Sequence, residues 1–364
     1  MATAPGGPFT VEPLELGEPQ AREVLMRAVS VGICRTDLHI RDGEYPVPGH
    51  PVVAGHESTG VVEAVGAEVT EVAVGDHVLA SFPWCGSCPA CRKGRQSYCR
   101  DGFALSFGGR RPDGTTALSR LDGSPVQGHV FQQSSMATHA VVHVNNLVIA
   151  PPGTPDLAGL APLCCGVQTG CGAVMSSPSL GPGGSLAVWG AGSVGLSAVM
   201  AGAVVGARTI VAVDTRPERL ALARSLGATH VVDARADGAT EQVLEIVSDG
   251  VDTGVETTGI PAVLAGALRA TAMVGELVSV GAAPAGTTAP VDMNVLLNGR
   301  RLRGTIQGDA TPREFLPRLL ELYRDGRLPF DRMVTRFDFA DVQKAVEAME
   351  SGRVVKPVLV VGEP

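Results

Sequence analysis

The chain has little charge for its length: Asp, Glu, Lys and Arg together make up 18% of its 364 residues. Apolar residues make up 45%, so the sequence can form a large core and is not that of a disordered chain. No long basic run occurs and the net charge is −8, which argues against nucleic acid as a partner. Because residues 1–10 lack a basic stretch followed by an apolar core, no secretory signal is predicted and a cytoplasmic location is expected.

Charge is absent altogether from residues 157–207. A membrane-spanning helix needs about 20 mainly apolar residues, and residues 186–207 are long and apolar enough to meet that requirement. The tract also holds 12 glycines together with Pro162, Pro178 and Pro182, which a spanning helix would not favour. A buried strand and helix beside a ligand that needs bare backbone explain the tract better, so no membrane partner is predicted.

The length predicts about two domains. Short β-type runs at residues 52–53, 60–62 and 77–79, separated by turn residues, predict a compact β-rich domain in the first 150 residues. Beyond residue 184, strand and helix patterns alternate, which predicts a parallel sheet with right-handed crossovers. The predicted strands are residues 185–190, 209–214, 230–234, 251–256 and 276–281. The overall expectation is an α/β fold.

A glycine-rich motif follows the first of these strands. Gly190, Gly192 and Gly195 form a G-x-G-x-x-G pattern that opens a predicted helix, and Asp214 lies 19 residues beyond Gly195 at the end of the next strand. Such glycines allow a tight turn and a close approach of the backbone to a pyrophosphate, while the carboxylate accepts hydrogen bonds from a ribose. Asp214 would repel a 2′-phosphate, so NAD is favoured over NADP, although Arg216 nearby weakens that preference.

Four cysteines are concentrated in a short segment, as Cys85-x2-Cys88-x2-Cys91-x7-Cys99. Four thiolates at such spacing can surround one tetrahedral zinc ion, and a site with four protein ligands leaves no open position, so it is structural. An iron–sulfur cluster is the rival interpretation, but the bacterial ferredoxin pattern has a last gap of three residues followed by proline.

A second metal site is predicted from three separate segments. Cys34, His56 and one of the adjacent pair Cys164 and Cys165 together offer two thiolates and one imidazole. This set suits a catalytic zinc whose fourth position is open for water or substrate.

Taken together, these motifs resemble the zinc-dependent medium-chain alcohol dehydrogenases along essentially the whole chain. The order of Cys34-x-Thr36-Asp37-x-His39, Gly55-His56-Glu57, the four-cysteine lobe, residues 165–170 and the glycine-rich motif is that of the family. The resemblance implies a GroES-like catalytic domain at residues 1–166 and 307–364, with the structural zinc lobe at about 85–99. It implies a Rossmann domain that binds NAD at residues 167–306, and hence two zinc ions per chain.

The resemblance also implies roles for single residues. Cys165, not Cys164, becomes the third zinc ligand, while Cys164 and Cys171 remain without a role. Asp37 would orient His56, Glu57 would be the carboxylate that can approach zinc, and Thr36 and His39 would relay the alcohol proton to solvent. The residues implied at the cofactor, besides the three glycines and Asp214, are Arg35, Thr169, Ser193, Val194, Arg219 and Lys356.

The expected reaction is the reversible oxidation of a primary aromatic or allylic alcohol to its aldehyde. Segments such as residues 103–109 and 133–135 resemble the aryl- and allylic-alcohol branch of the family, whereas Ser58, Gln132 and Met136 depart from its pattern. Two alternatives remain: a dehydrogenase of thiol adducts of formaldehyde in the same superfamily, and a non-catalytic sensor that binds NAD and zinc. A homodimer or homotetramer is expected, and the sequence fixes neither the direction of the reaction nor the physiological substrate.

Overall fold

A computed structural model describes residues 1–45, 49–151, 153–154 and 156–363. The chain forms two compact units. The first comprises Met1–Cys165, Thr311–Leu319 and Asp331–Pro364, and the second comprises Gly166–Ala310 and Leu320–Phe330.

The strands in the described residues are Glu15–Leu16 (β1), Glu23–Gly32 (β2), Ser58–Val65 (β3), His77–Ala80 (β4), Leu118–Ser119 (β5), His139–His143 (β6), Leu147–Ile149 (β7), Ser185–Trp189 (β8), Thr209–Asp214 (β9), His230–Asp233 (β10), Val251–Glu256 (β11), Thr271–Ser279 (β12), Arg301–Gly304 (β13), Val334–Asp338 (β14) and Lys356–Val360 (β15). The α-helices are Arg35–Arg41 (α1), Pro89–Arg92 (α2), Gly102–Phe107 (α3), Gly166–Met175 (α4), Ser193–Val204 (α5), Pro217–Ser225 (α6), Ala239–Ile246 (α7), Pro261–Arg269 (α8), Met293–Leu297 (α9), Pro312–Arg324 (α10) and Val342–Glu350 (α11).

The first unit is built on a seven-stranded sheet. Its strand order is β14-β15-β2-β3-β4-β7, and β6 pairs with the long strand β2 as well. Buried apolar residues of β2, β3, β4 and β6, such as Val24, Met26, Val62 and Val142, pack into one core cluster. This is the β-rich domain expected from the sequence.

The second unit contains a six-stranded sheet in the order β10-β9-β8-β11-β12-β13, and every neighbouring pair in it is parallel. Counted from β8 as the first strand, the order is 3-2-1-4-5-6, which is the order of a doubly wound dinucleotide-binding sheet. The predicted alternation of strands and helices is therefore confirmed, and the first βα turn lies at the point where the order reverses.

The structure differs from two local expectations. The run at residues 52–53 is not a strand, because Val52 makes only isolated bridges with Ala2 and Gln127. The predicted boundary of the two domains also differs from the observed units, since Leu320–Phe330 belongs to the second unit. There, the Arg327 guanidinium donates to the Val204 carbonyl oxygen at 3.1 Å, which ties this segment to the end of α5.

The uncharged tract forms buried elements of both units. No single helix in the described part of the chain is long and apolar enough to cross a membrane. The 3-10 segment Leu157–Cys164 and helix α4 meet the criterion only when they are taken together, by length and composition. Buried core helices meet the same criterion, and nearly all residues of both segments are buried.

Candidate functional site

Cys34, His56 and Cys165 come together in the first unit. Their ligand atoms all lie within 4.8 Å of one another. Cys34 follows the end of β2, His56 precedes the start of β3, and Cys165 follows the 3-10 segment Leu157–Cys164. The structure thus joins the three segments from which a metal site was predicted.

The pairing of β2 with β3 explains why two of these segments meet. Val31 is opposite Ser58 in the antiparallel ladder, so the end of β2 and the start of β3 are adjacent. Gly55, just before His56, has φ +97°, and a side chain there would clash with the backbone of Met136, so only glycine fits. The alternative thiol, Cys164, instead donates to the Ser58 carbonyl oxygen at 3.4 Å.

Asp37 fixes the orientation of His56. It is buried on α1, and its Oδ1 accepts from His56 Nδ1 and from the Gly55 amide, each at 3.0 Å. Its Oδ2 accepts from the Cys34 amide at 2.9 Å. His56 Nε2 is then left buried with no hydrogen-bond partner among the described residues. A buried nitrogen without a partner, close to two thiols, fits a metal ion that binds through Nε2, since the carboxylate holds the other ring nitrogen.

The charges of the cluster also suit a cation. A hydrogen bond with Cys165 lowers the pKa of Cys34 well below its usual range, although burial opposes this shift. The same bond raises the pKa of Cys165 well above its usual range. Burial opposes protonation of His56, but the Asp37 carboxylate raises the pKa of the imidazole. Because zinc binds thiolates and neutral imidazole, binding of the ion at these three groups would be coupled to the release of protons.

Glu57 adds a second carboxylate next to the cluster. Its side chain is fully buried, one oxygen pairs with Lys356, and Oε2 has no hydrogen-bond partner among the described residues. Burial raises the pKa of Glu57 to about 7, although Lys356 opposes the shift.

The four cysteines of the lobe also meet. The sulfur atoms of Cys85, Cys88, Cys91 and Cys99 lie within 4.8 Å of one another. Backbone amides point at two of them: Cys88 accepts from Cys91 and Arg100, each at 3.5 Å, and Cys99 accepts from Cys85 at 3.3 Å. The two bonds to Cys88 lower the pKa of its thiol to about 6. Four converging sulfurs with amide donors fit one tetrahedral zinc ion.

In the second unit, the glycine-rich motif forms the turn between β8 and α5. Gly190 has φ +93°, and a side chain at Gly195 would overlap the Gly190 carbonyl oxygen. A Cβ atom at Gly192, by contrast, would meet no atom within 4 Å. The tight turn, the close helix contact and the bare backbone that a pyrophosphate needs are therefore all present.

Asp214 ends β9 beside this turn. Its carboxylate accepts from the amides of Ala191 at 2.6 Å and Arg216 at 2.9 Å. Arg219 lies close enough for Asp214 to act on its charge, while burial lowers the pKa of the guanidinium. Arg219 Nε and Ser193 Oγ are both buried with no hydrogen-bond partner among the described residues. The carboxylate, the guanidinium and the hydroxyl are suited to hydrogen bonds with the ribose and phosphate oxygens of a bound nucleotide.

Comparison with known proteins decides the family. Residues 20–152 match the alcohol dehydrogenase GroES-like domain, and residues 193–324 match the zinc-binding dehydrogenase domain. Geraniol dehydrogenase from Castellaniella defragrans is 43% identical over 98% of this chain and 95% of its own. The chain belongs to the zinc-dependent medium-chain alcohol dehydrogenases.

Two further relatives agree. The crystal structure of benzyl alcohol dehydrogenase from Acinetobacter calcoaceticus is similar over 99% of this chain and 98% of its own, with a TM-score of 0.95 and 40% identity. S-(hydroxymethyl)glutathione dehydrogenase from Aspergillus oryzae is 35% identical over 99% of this chain and 94% of its own. As a zinc-dependent alcohol dehydrogenase, the chain interconverts alcohols and aldehydes, and NAD(P) is the typical cofactor of the family.

The remaining predicted residues of this dehydrogenase have the following positions. Thr36 Oγ1 is 3.7 Å from Cys34 Sγ, and His39, one turn further along α1, forms an ion pair with Glu44. Arg35 is exposed. Thr169 on α4 donates to Gln307 Oε1 at 3.4 Å, and Val194 lies in the first turn of α5. Lys356, predicted at the pyrophosphate, is buried and paired with Glu57.

Sequence reasoning missed two features next to His56: a glutamine that hydrogen-bonds to its backbone, and a row of aromatic rings that begins at its imidazole. Gln133 Nε2 donates to the carbonyl oxygens of His56 at 3.1 Å and Ser81 at 2.7 Å. Phe131 stacks on the imidazole of His56, with ring centroids 4.6 Å apart. Both residues belong to a loop that carries left-handed backbone at Phe131, Gln132 and Ser134, a conformation that the side chains alone do not predict.

Proposed function

We propose that this alcohol dehydrogenase oxidises primary aromatic or allylic alcohols to aldehydes, reversibly, with NAD. The first unit is the catalytic domain, in which Cys34, His56 and Cys165 hold one zinc ion and the four-cysteine lobe holds the second. The second unit binds NAD through Gly190, Gly192, Gly195 and Asp214. The activities named for the geraniol and benzyl alcohol dehydrogenase relatives support this substrate class.

The observation that carries the substrate class is a row of aromatic rings that starts at the ligand His56. Phe131 stacks on His56, Phe107 meets Phe131 edge to face at 5.3 Å, and Tyr45 stacks on Phe107 at 4.4 Å. The whole chain has only nine Phe, three Tyr and two Trp. Planar rings beside a zinc ligand favour a planar, π-rich alcohol, because offset aromatic pairs add about 0.5–1.5 kcal/mol to the burial of their area.

The chain's own groups then have separate tasks. When bound, the zinc ion would supply Lewis acidity toward the alcohol oxygen, and the nicotinamide would supply a hydride acceptor. Asp37 keeps His56 in the tautomer that presents Nε2. Thr36 and His39 are three residues apart on α1 and so share one face of the helix. Thr36, beside Cys34, receives the alcohol proton, and His39, paired with Glu44, delivers it to solvent.

Asp214 supports NAD over NADP. Its carboxylate lies at the end of β9, where a 2′-phosphate would meet negative charge. Arg219 would contact the adenosine ribose. The other residues proposed to contact the cofactor are Ser193, Val194, Thr169 and Arg35.

Initial rates test the substrate class. We expect benzylic and terpenoid alcohols to give kcat/KM values at least tenfold above short aliphatic alcohols, with NAD preferred to NADP. Phe107→Leu should raise the KM of benzylic alcohols several-fold and leave that of short aliphatic alcohols nearly unchanged. The matched control is Phe337→Leu, a half-buried phenylalanine of β14. Equal losses for both alcohol classes would contradict a role of the ring row in recognition.

A thiol-adduct dehydrogenase is the second candidate, because the Aspergillus oryzae relative bears that activity in its name. It predicts that formaldehyde is oxidised only when a small thiol such as glutathione is present. Turnover of benzylic alcohols without thiol excludes that candidate as the main activity, and it excludes a purely sensing protein as well.

We also propose that the chain is a homo-oligomer, a dimer or tetramer. Strand β13 is an edge of the sheet in the second unit. Near it lie the exposed apolar residues Met273, Val274, Met293, Leu297, Leu302 and Ile306. An edge strand beside exposed apolar side chains favours pairing with a second copy. The cytoplasmic location stays a prediction.

A further inference from the structure

Lys356 forms a buried ion pair that the proposed reaction does not use. Only 2% of the residue is exposed, and Nζ donates to the Ile33 carbonyl oxygen at 3.1 Å and pairs with Glu57 Oε1. Burial disfavours the ammonium, but Glu57 and the thiols of Cys34 and Cys165 raise its pKa above the ordinary range. A charged lysine in such a place persists only because its partners hold it.

Three strand ends bring Lys356 to the metal cluster. It opens β15, whose Val358 is paired with Gly32 at the end of β2, and the Ile33 amide donates to the Pro357 carbonyl oxygen at 3.0 Å. The two groups that Lys356 contacts belong to Ile33 and Glu57. These residues directly precede Cys34 and directly follow His56 in the chain, so the lysine contacts the neighbours of two of the three cluster members.

The position of the Glu57 carboxylate decides whether it can bind a zinc ion in the cluster. Its Oε2 is buried and without a partner among the described residues, although Oε1 is held by Lys356. Gly32 lies against it: a Cβ atom there would be 2.8 Å from Glu57 Cδ. Glu57 is not among the groups whose ligand atoms lie within 4.8 Å of one another. Since carboxylate oxygens bind zinc at ordinary sites, it would become a fourth ligand only by moving toward the cluster.

We propose that Lys356 is a positioning residue that holds Glu57 outside the ligand set of the catalytic zinc and so keeps the fourth position open. The inference rests on the proposed zinc site at Cys34, His56 and Cys165. Without the ammonium, Glu57 loses its counter-charge and turns toward the remaining cation, which is zinc. The ion would then have four protein ligands, as in structural sites, and would be held more tightly while alcohol turnover falls.

Zinc release tests this directly. The holoenzyme is mixed with an excess of a chromogenic chelator, and the release of the two zinc ions is followed over time. We expect Lys356→Met to release the cluster zinc about tenfold more slowly than the native protein, a change of the size that outer partners of zinc ligands produce. Lys356→Arg keeps the charge and should release it at the native rate. The lobe zinc should leave at one rate in all variants and is the internal control.

The double variant Lys356→Met/Glu57→Gln separates positioning from general damage, because an amide has no charge to bring to the metal. Its release rate should return to the native value. Unchanged or faster release in Lys356→Met, or slow release that persists in the double variant, would overturn the inference. If Lys356→Met does not fold, Glu57→Gln alone decides: a release rate near the native value supports the inference, and markedly faster release shows Glu57 to be a resting ligand and overturns it.

A separate measurement tests the underlying assignment of a zinc ion to Cys34, His56 and Cys165. Cys34→Ala should lower the zinc content from two ions per chain to one. Two ions retained in that variant would contradict the proposed site itself, whatever the release rates of the Lys356 variants.

Discussion

Asp37 holds three groups at once, since its carboxylate accepts from His56 Nδ1 and from the amides of Gly55 and Cys34. Asp37→Asn keeps the size but replaces one acceptor oxygen with a donor, which weakens the basicity and the tautomer control of His56. We expect the affinity for the cluster zinc to fall 10–100-fold, a typical cost of losing such a partner. Competition with a zinc chelator measures it, and unchanged binding would contradict the orienting role.

The sequence was sufficient to predict the roles of some site residues but not of others. The resemblance to the family, whose pattern places the ligand one residue before Gly166 and four before Thr169, implied Cys165 rather than Cys164, and the structure brings Cys165 to Cys34 and His56. The partner of Lys356 was not predictable from the same pattern, because it lies 299 positions away along the chain. That pair depends on the alignment of β15 with β2, which no local motif records.

At the scale of elements, the segment 108–130 is held by buried polar contacts, one to β2 and one within the segment. Arg111 forms an ion pair with Glu23 at 2.7 Å, and His129 Nε2 accepts from the Ala117 amide at 3.1 Å. Burial lowers the pKa of His129 from 6.5 to about 4. The folded state thus holds this imidazole neutral, whereas the unfolded chain binds a proton below pH 6.5, so the contribution of His129 to stability is lost as the pH falls.

His129→Gln tests this contribution, because glutamine keeps an acceptor but does not titrate. The free energy of unfolding of the native protein relative to the variant should fall by about 1 kcal/mol between pH 7.5 and pH 5.5. Denaturant unfolding of the zinc-loaded proteins at both pH values measures it. The substitution His139→Gln, at a residue of β6 whose side chain is 41% exposed, is the control, and an equal pH effect there would contradict the assignment to His129.

Whether a strand could be predicted from the sequence depended on how its residues are buried. Five of the six strands of the parallel sheet were predicted, because short apolar runs alternate with helical segments there; the edge strand β13, whose sequence is Arg-Leu-Arg-Gly, was not. Strand β2 was missed although it pairs with β3, β6 and β15. Its residues are buried on both faces, so the two-residue alternation that marks a half-buried strand is absent from Glu23–Gly32. Yet Cys34 lies only two residues beyond the end of this strand.

At the scale of the whole molecule, the exposed apolar residues near β13 predict the assembly. Met293 and Leu297 on α9 are 78% and 81% exposed, and Leu302 lies on the edge strand itself. If two copies of this face pack together, a carboxylate at its centre must lose its hydration shell on association, which costs several kcal/mol. Leu297→Glu should therefore shift the protein from dimer or tetramer toward monomer in light scattering coupled to size-exclusion chromatography.

Leu121→Glu is the matched control, since Leu121 is a 67% exposed leucine of the first unit and does not belong to the sheet of the second unit. It should leave the molar mass unchanged. A monomeric native protein, or a Leu297→Glu variant with the native mass, would contradict association through this face. Dissociation of Leu297→Glu with both zinc ions retained would show that each chain completes its metal sites alone, as expected when Cys34, His56, Cys165 and the four lobe cysteines all belong to one unit of one chain.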